Sequence, residues 1–281
     1  LVVTLTFGTL AAVWLRAEDV GRLGPSEWAA LRFTLWQAAL SALISVGLAI
    51  PVARALARCQ FPGRGLVITL LGAPFLLPVI VAVFGLLAIF GRDGLVSWFL
   101  SFFGLPPVSI YGATGVILAH VFFNLPLAVR FILMGWLAIP AERFRLAAQL
   151  QFDRRAYWRV IELPMLRAVV PGVALVIFLL CLTSFAVALA VGGGPKATTI
   201  ELAIYQAFLF EFDLDKAARR ACLQFLICGV AALVSIYVTT PSDLAGGLDR
   251  TVPRWDTRSD LYDWVTIYAA VAYHLLPLRA I

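Results

Sequence analysis

Long apolar runs dominate this 281-residue chain, and they restrict its fold more than any other feature. Residues 33–53, 66–90, 112–139, 168–191 and 221–238 each hold a nearly uninterrupted apolar stretch. Each is close to the roughly 20 residues that an α-helix needs to cross the hydrocarbon core of a bilayer. Shorter runs lie at 1–15 and 261–278. Composition agrees: 62% of residues are hydrophobic and only 14% charged, against about 45–50% and roughly 25% in soluble domains. With mean hydropathy at +0.94, a soluble bundle of buried helices is set aside. The expected fold is all-α, a polytopic transmembrane helix bundle.

Arginine placement gives an orientation. The connections 54–65, 140–167 and 239–260 carry Arg54, Arg58, Arg64, Arg143, Arg145, Arg154, Arg155, Arg159, Arg167, Arg250, Arg254 and Arg258. The alternate connections carry fewer basic residues, among them Arg219 and Arg220, which Asp213 and Asp215 are expected to neutralise. By the positive-inside rule the first set faces the cytoplasm. The expected topology is six spans and the start of a seventh, with the N-terminal end and the 140–164 loop inside. The net charge of +6 then reflects contact with anionic lipid, not nucleic acid. Cys59, Cys181, Cys222 and Cys228 have no paired spacing, so neither disulfides nor zinc are expected.

Residues 239–260 (TTPSDLAGGLDRTVPRWDTRSD) are polar and read as a linker, followed by a new apolar helix with Tyr262 and Trp264 at its interfacial end. The chain begins at Leu1 without Met, so the first run is expected to be a span or signal segment cut by the chain's start. The expected division is 1–240 as one half of a longer membrane protein and 241–281 as linker plus the first helix of a truncated second half.

Between two spans lies a hydrophilic segment, Pro140–Pro164 (PAERFRLAAQLQFDRRAYWRVIELP). Pro140 suits a first helical position and Glu142 complements the helix dipole. Leu146 and Leu150 share a face of a helix over 142–150. Asp153 is a good N-cap for a second helix, Arg154 to Ile161, which Pro164 stops. The expectation is helix–turn–helix lying flat under the membrane, with Ala147 and Ala148 permitting close approach. Two uses stay open: docking a partner, or an amphipathic hairpin that binds lipid alone.

Other polar positions have two readings each. His120 and Asn124 share a helix face, as glue between spans or as part of a transport path. Thr198 with Glu201 forms a capping-box signature, and Glu201 and Tyr205 share a face. That helix either belongs to an outer gate favouring a cation or ties two spans together. Pro74, Pro78 and Pro126 mark kinks. His274 has no visible partner. The Gly-rich stretch at 192–195 lacks the GxxxxGK[ST] spacing of a phosphate loop.

Segment 140–164 resembles the cytoplasmic EAA loop of membrane subunits in binding-protein-dependent ABC importers. That pattern is Glu-Ala-Ala, three residues, Gly, then an apolar residue leading into Ile-x-Leu-Pro. Trp158, Ile161, Leu163 and Pro164 match its end and Ala147 its second Ala, while Arg145, Leu146 and Gln151 stand at the Glu, first Ala and Gly positions. YGATGVILAHVFFNLPLAVRF (111–131), LAAQL (146–150), IELP (161–164) and GGGPKATTIELAIYQA (192–207) look similar to the thiamine permeases of proteobacteria, with ferric-iron permeases next. The resemblance implies a type I (MetI-like) importer permease of the bacterial inner membrane, a transport subunit and not an enzyme. It carries thiamine or its phosphates, has no cofactor of its own, and leaves ATP and Mg to a partner. The implied partners are two ATPase subunits, a periplasmic substrate-binding protein and a second permease half. The candidate docking residues are Glu142, Arg145, Leu146, Ala147, Ala148, Gln151, Asp153, Arg154, Trp158, Ile161 and Pro164. The alternatives are an iron importer, or a channel or secondary transporter without an ATPase. The last expects acidic residues within the spans, and residues 33–90 and 168–191 hold none.

Overall fold

A computed structural model describes Gly8 and residues 24–71, 78–107, 110–192, 194, 197–238 and 261–279. The run at 1–15 apart from Gly8, the 239–260 linker and Pro74 lie outside the described residues. Among those described there are helices and connections but no strand. The helices are α1 (Pro25–Arg58), α2 (Arg64–Leu70), α3 (Val79–Phe90), α4 (Leu95–Ser101), α5 (Ala113–Leu137) and α6 (Ala141–Gln149). They continue with α7 (Arg154–Tyr157), a π-helical turn (Trp158–Glu162), α8 (Leu163–Leu182), α9 (Phe185–Val191), α10 (Ile200–Leu209), α11 (Leu214–Val238) and α12 (Leu261–Arg279).

Five of the described segments are long and apolar enough to cross a membrane: Pro25–Arg58, Val79–Ser101, Ala113–Leu137, Arg154–Leu182 and Leu214–Tyr237. The chain is a multi-pass membrane protein. The apolar run at 66–90 is not one helix: α2 ends at Leu70, and the crossing is made by α3 with α4.

Small residues set the centre of the bundle. On α1, Ala38, Ala42, Ala49, Ala53 and Leu56 fall on one helical face and are buried, and α1 packs most extensively on α5. Helix association in lipid gains no hydrophobic driving force and depends on close backbone approach, which small side chains allow. Gly135 of α5 does the same toward α8: a Cβ there would lie 2.9 Å from Met165 Sδ and 3.0 Å from Val169 Cγ2.

At the Arg-rich end, buried ion pairs fix helix to helix. Arg54 Nε donates to Glu162 Oε2 at 2.7 Å, with the Glu162 side chain only 1% exposed. The Arg54 guanidinium also lies 5.8 Å from the centre of the Trp158 ring, a cation–π contact. Arg58 pairs with Asp263 of α12 at 3.8 Å. At the other end Arg219 and Arg220 pair with Glu27 of α1, at 3.9 and 3.7 Å. This corrects the expected neutralisation by Asp213, whose nearest cationic partner is Lys216 at 3.0 Å. That lysine's N–H groups hold the half-buried Asp213 carboxyl below its ordinary range.

His274, without a visible partner in the sequence, is fully engaged. Its Nδ1 lies 2.8 Å from the Ala270 carbonyl and its Nε2 3.2 Å from the Phe122 carbonyl of α5. Its ring stacks on Phe122, with centroids 5.4 Å apart.

Removing one member of a buried pair strands the other charge. Arg54→Met is expected to cost about 3 kcal/mol, read as a lower melting temperature in detergent. The Arg54→Met/Glu162→Leu double variant is expected to recover part of that loss.

Candidate functional site: a docking helix and a broken span

Helix α6 and the turn behind it follow from local chemistry. Pro140 is the N-cap and not the first helical residue, and Glu142 sits in the first turn as expected. Inward, Phe144 and Ala147 are 1% and 2% exposed and join the core at the base of α1 and α5. Outward, Glu142, Arg145 and Ala148 are exposed, and so are Leu146 and Leu150, at 57% and 67%. Leu146 and Leu150 therefore make an apolar stripe pointing away from the bundle. Ala147, a candidate docking residue, is spent on holding the helix to its own protein. Ile161 is likewise buried, at 4%.

The C-terminus of α6 closes as a Schellman motif. Phe152 N–H donates to the Ala147 carbonyl at 3.0 Å, and Gln151 N–H to the Ala148 carbonyl at 3.1 Å. That motif needs a left-handed residue at the position of Gln151, whose φ is +51°. The resembled pattern has Gly there, and Gln151 makes the same turn with a side chain attached, at a steric cost of roughly 1–2 kcal/mol.

Beyond the turn Asp153 caps as expected, its Oδ1 accepting from Ala156 N–H at 2.8 Å. The expected second hairpin helix does not stop at Pro164. Arg154–Tyr157 runs through the π-turn into α8 without a break. Leu163 N–H reaches back to the Trp158 carbonyl, five residues earlier. The widened turn absorbs the ring of Pro164, and as the second residue of α8 Pro164 needs no donor. Segment 140–164 is thus one surface helix followed by the inner end of a span, not a flat helix pair. Asp153, Arg154 and Pro164 are exposed on it, Gln151 also, and Trp158 is half-buried under Arg54.

The second feature lies inside the bundle. Thr183 and Ser184 leave helical geometry (φ −105°, ψ 37° and φ −106°, ψ 66°) and separate α8 from α9. A break in hydrocarbon frees carbonyls that water cannot reach, and each must find a partner. Gln37 Nε2 donates to the Cys181 carbonyl at 3.0 Å. Gln224 Nε2 donates to the Leu182 carbonyl at 2.9 Å. His120 Nε2 lies 2.6 Å from Ser184 Oγ and its Nδ1 3.5 Å from Ser41 Oγ. Asn124 Nδ2 donates to Cys181 Sγ at 3.3 Å.

Helix α10 completes this cluster. Its N-cap is Thr199, not Thr198: Thr199 Oγ1 accepts from Leu202 N–H at 3.3 Å. Ile200 N–H is satisfied by Thr34 Oγ1 of α1 at 3.0 Å. Glu201 accepts from the Phe185 N–H and the Gln224 side chain, while burial pushes its carboxyl above the ordinary range. The Tyr205 ring lies 5.1 Å from the Phe185 ring. All four residues singled out for a path or gate, His120, Asn124, Glu201 and Tyr205, meet around the one break. Gln37, Ser41, Ser184 and Gln224 belong with them and escaped sequence reading. Their signal was polar residues in three apolar runs, uninformative until the runs are packed. Gln37 Oε1 and Gln224 Oε1 are buried without a hydrogen-bond partner.

With this geometry in place, solved structures identify the fold. The chain superposes on a bacterial alginate ABC transporter crystallised with an alginate-pentasaccharide-bound periplasmic protein, at a TM-score of 0.67 and 17% identity over 76% of this chain and 78% of that one. A second alginate importer structure gives 0.65 at 18% identity, covering 83% and 90%. The fold is that of an ABC-transporter permease, an all-α polytopic bundle of the MetI-like type. No family model matches the chain.

The sequence relatives are more specific. The chain is 39% identical over 288 residues to the thiamine transport system permease protein of Brucella abortus, covering 99% of this chain and 53% of that protein. It is 45% identical over 240 residues to that of Escherichia coli K12, covering 84% and 45%. It is 41% identical over 291 residues to that of Salmonella typhimurium, covering 100% and 54%. The resemblance read from the sequence is borne out: the chain is similar to membrane permease subunits of ABC transporters, and specifically to thiamine transport permeases. It spans about half the length of the curated relatives it matches.

Relieving the left-handed strain at residue 151 is expected to stabilise the turn. Gln151→Gly should gain roughly 0.5–1 kcal/mol and Gln151→Val should lose more than that. Melting temperature and protease resistance of the 149–153 turn check both. A destabilised glycine variant would refute the Schellman assignment.

Proposed function

We propose that the chain is one permease segment of an ATP-driven importer for thiamine or its phosphates in the bacterial inner membrane. The single observation that carries this is the 39–45% identity to thiamine transport permeases. Ferric iron is the alternative cargo. The chain is a transport component, and ATP with Mg belongs to separate ATPase chains. The full assembly in this reading has two ATPase copies, a second permease half and a periplasmic substrate-binding protein. The concentration of arginines around α6 supports a cytoplasmic side for that helix and for the N-terminal end.

Helix α6 is the seat for the ATPase in this reading. The exposed Leu146–Leu150 stripe, flanked by Glu142, Arg145 and Arg154, enters a groove on the partner; Ala148 allows close approach. Phe144, Ala147 and Ile161 bind the same helix to the bundle, so its movement is transmitted to α5 and α8. ATP shifts the equilibrium between outward- and inward-open packings only if the ATPases bind those two states with different affinity. The α8–α9 break is where such a change passes most readily, because side chains and not helical backbone satisfy its carbonyls. Transporter sites recur at such interrupted helices.

Leu146→Asp/Leu150→Asp is expected to abolish co-purification of the ATPase while insertion and melting temperature stay unchanged. Retained co-purification would remove the docking role. In cells carrying the complete operon, labelled thiamine uptake is expected and ferric uptake is not; the reverse result selects the iron importer.

A further inference from the structure

Pro126 lies inside α5, between the two features described above. Before it stand His120 and Asn124, held at the α8–α9 break. After it the helix runs on to Leu137, a short turn before α6. Proline has no N–H, so the carbonyl four residues earlier, that of Phe122, loses its helical donor, and the proline ring pushes it aside. Phe122 and Pro126 are both buried. A carbonyl freed there has to be met from a neighbouring helix.

The donor stands on α12. His274 Nε2 lies 3.2 Å from the Phe122 carbonyl oxygen. One turn earlier on α5, the Leu118 carbonyl accepts from the Tyr273 hydroxyl at 3.2 Å. Two adjacent side chains of α12 thus grip carbonyls on successive turns of α5. A neutral imidazole has a single N–H, and the contact of Nδ1 with the Ala270 carbonyl at 2.8 Å competes for it. The Ala270 carbonyl already receives the amide of His274 itself, the ordinary bond of an α-helix. Proline deprives the Phe122 carbonyl of that donor, so the larger penalty for an unmet group sets the proton on Nε2.

We propose that His274 is the latch of a hinge at Pro126, a positioning residue that fixes the angle between the two parts of α5. Its own helix is fastened beside the C-terminal end of α1. Asp263 pairs with Arg58 at 3.8 Å, and the Trp264 ring lies 5.4 Å from that of Phe61. From Asp263 to His274 α12 rises about 16 Å, which makes it a strut from the charged end of the bundle to the proline. While His274 holds the Phe122 carbonyl, the two parts of α5 keep one alignment. Once it lets go, the part leading into α6 can swing against the part carrying His120 and Asn124, because a proline position bends readily. The use of that swing in transport rests on α6 being the ATPase seat; the latch itself does not.

The latch is tested on the chain alone, in detergent micelles. Pro126→Ala restores an amide at that position and gives the Phe122 carbonyl a helical donor. His274→Leu is expected to speed amide exchange across 118–130 roughly tenfold. Made together with Pro126→Ala, it is expected to lose most of that effect. Equal acceleration in both backgrounds would show that His274 only fills space and would overturn the proposal. The chain has two histidines, so isotope-labelled histidine yields two rings by NMR, assigned with His120→Gln. A protonated Nε2 on His274 is expected, and a bare Nε2 would overturn the latch even if His274→Leu misfolds. In the assembled importer Pro126→Ala is expected to slow uptake severalfold while the ATPase still co-purifies. Unchanged uptake would overturn the hinge, whereas failure of the unsubstituted chain to bind the ATPase would overturn the docking reading and not the latch.

Discussion

A backbone carbonyl buried inside a helix bundle has no water to satisfy it, and that shortage organises this protein around the break at Thr183 and Ser184. A continuous helix would need nothing from its neighbours there. Because α8 stops and α9 starts afresh, the Cys181 and Leu182 carbonyls must be met from outside, and Gln37 of α1 and Gln224 of α11 meet them. His120 reaches Ser184 through Nε2, and Ser41 stands at its Nδ1. The polar side chains of four segments are therefore committed to one place. Moving any of those helices alone would leave a donor or acceptor bare, at about 1–3 kcal/mol each. They are held to one another by that penalty, and a conformational change has to carry the whole cluster between two satisfied arrangements.

The Arg-rich end works by a different rule. There the ties are ion pairs between buried opposite charges, and they are directional. Arg54 reaches Glu162 and Trp158, and Arg58 reaches Asp263. Together they connect α1 to the π-turn that opens α8 and to α12. Helix α6 is anchored beside this frame by Phe144 and Ala147, which are buried in the apolar core, while its leucines face outward. The π-turn allows the segment to run on into the span past Pro164. Surface helix, charged frame and broken span form one mechanical series from the outer face of α6 to the interior of the bundle.

How far this was legible from sequence varies by element. Lengths of apolar runs gave the class of fold, since a run of about twenty such residues has few other uses. The Asp153 cap and the left-handed demand at Gln151 were also readable, because caps and turns depend on a handful of neighbouring residues. Pro164 as a stop was misread: proline usually ends a helix, and only the widened turn before it, a feature without a sequence signature, lets the helix continue. Thr198 lost the cap to Thr199, since the residue that leaves helical geometry is decided by where Thr34 of another helix can reach. Arg219 and Arg220 lie near acidic residues in sequence yet pair with distant Glu27.

Sequence by itself determined that this chain resides in a membrane, where most of its described crossings fall, and that a basic amphipathic helix separates two of them. Those properties are sums over local transfer free energies and local hydrogen bonds, which need no knowledge of neighbours. Tertiary structure alone decided which face of that helix is free, placing Ala147 inward and Leu146 outward. It alone brought Gln37, His120, Ser184 and Gln224 to a common point. Both depend on which helices touch, and in lipid that is settled by shape and by the partner each buried polar atom finds.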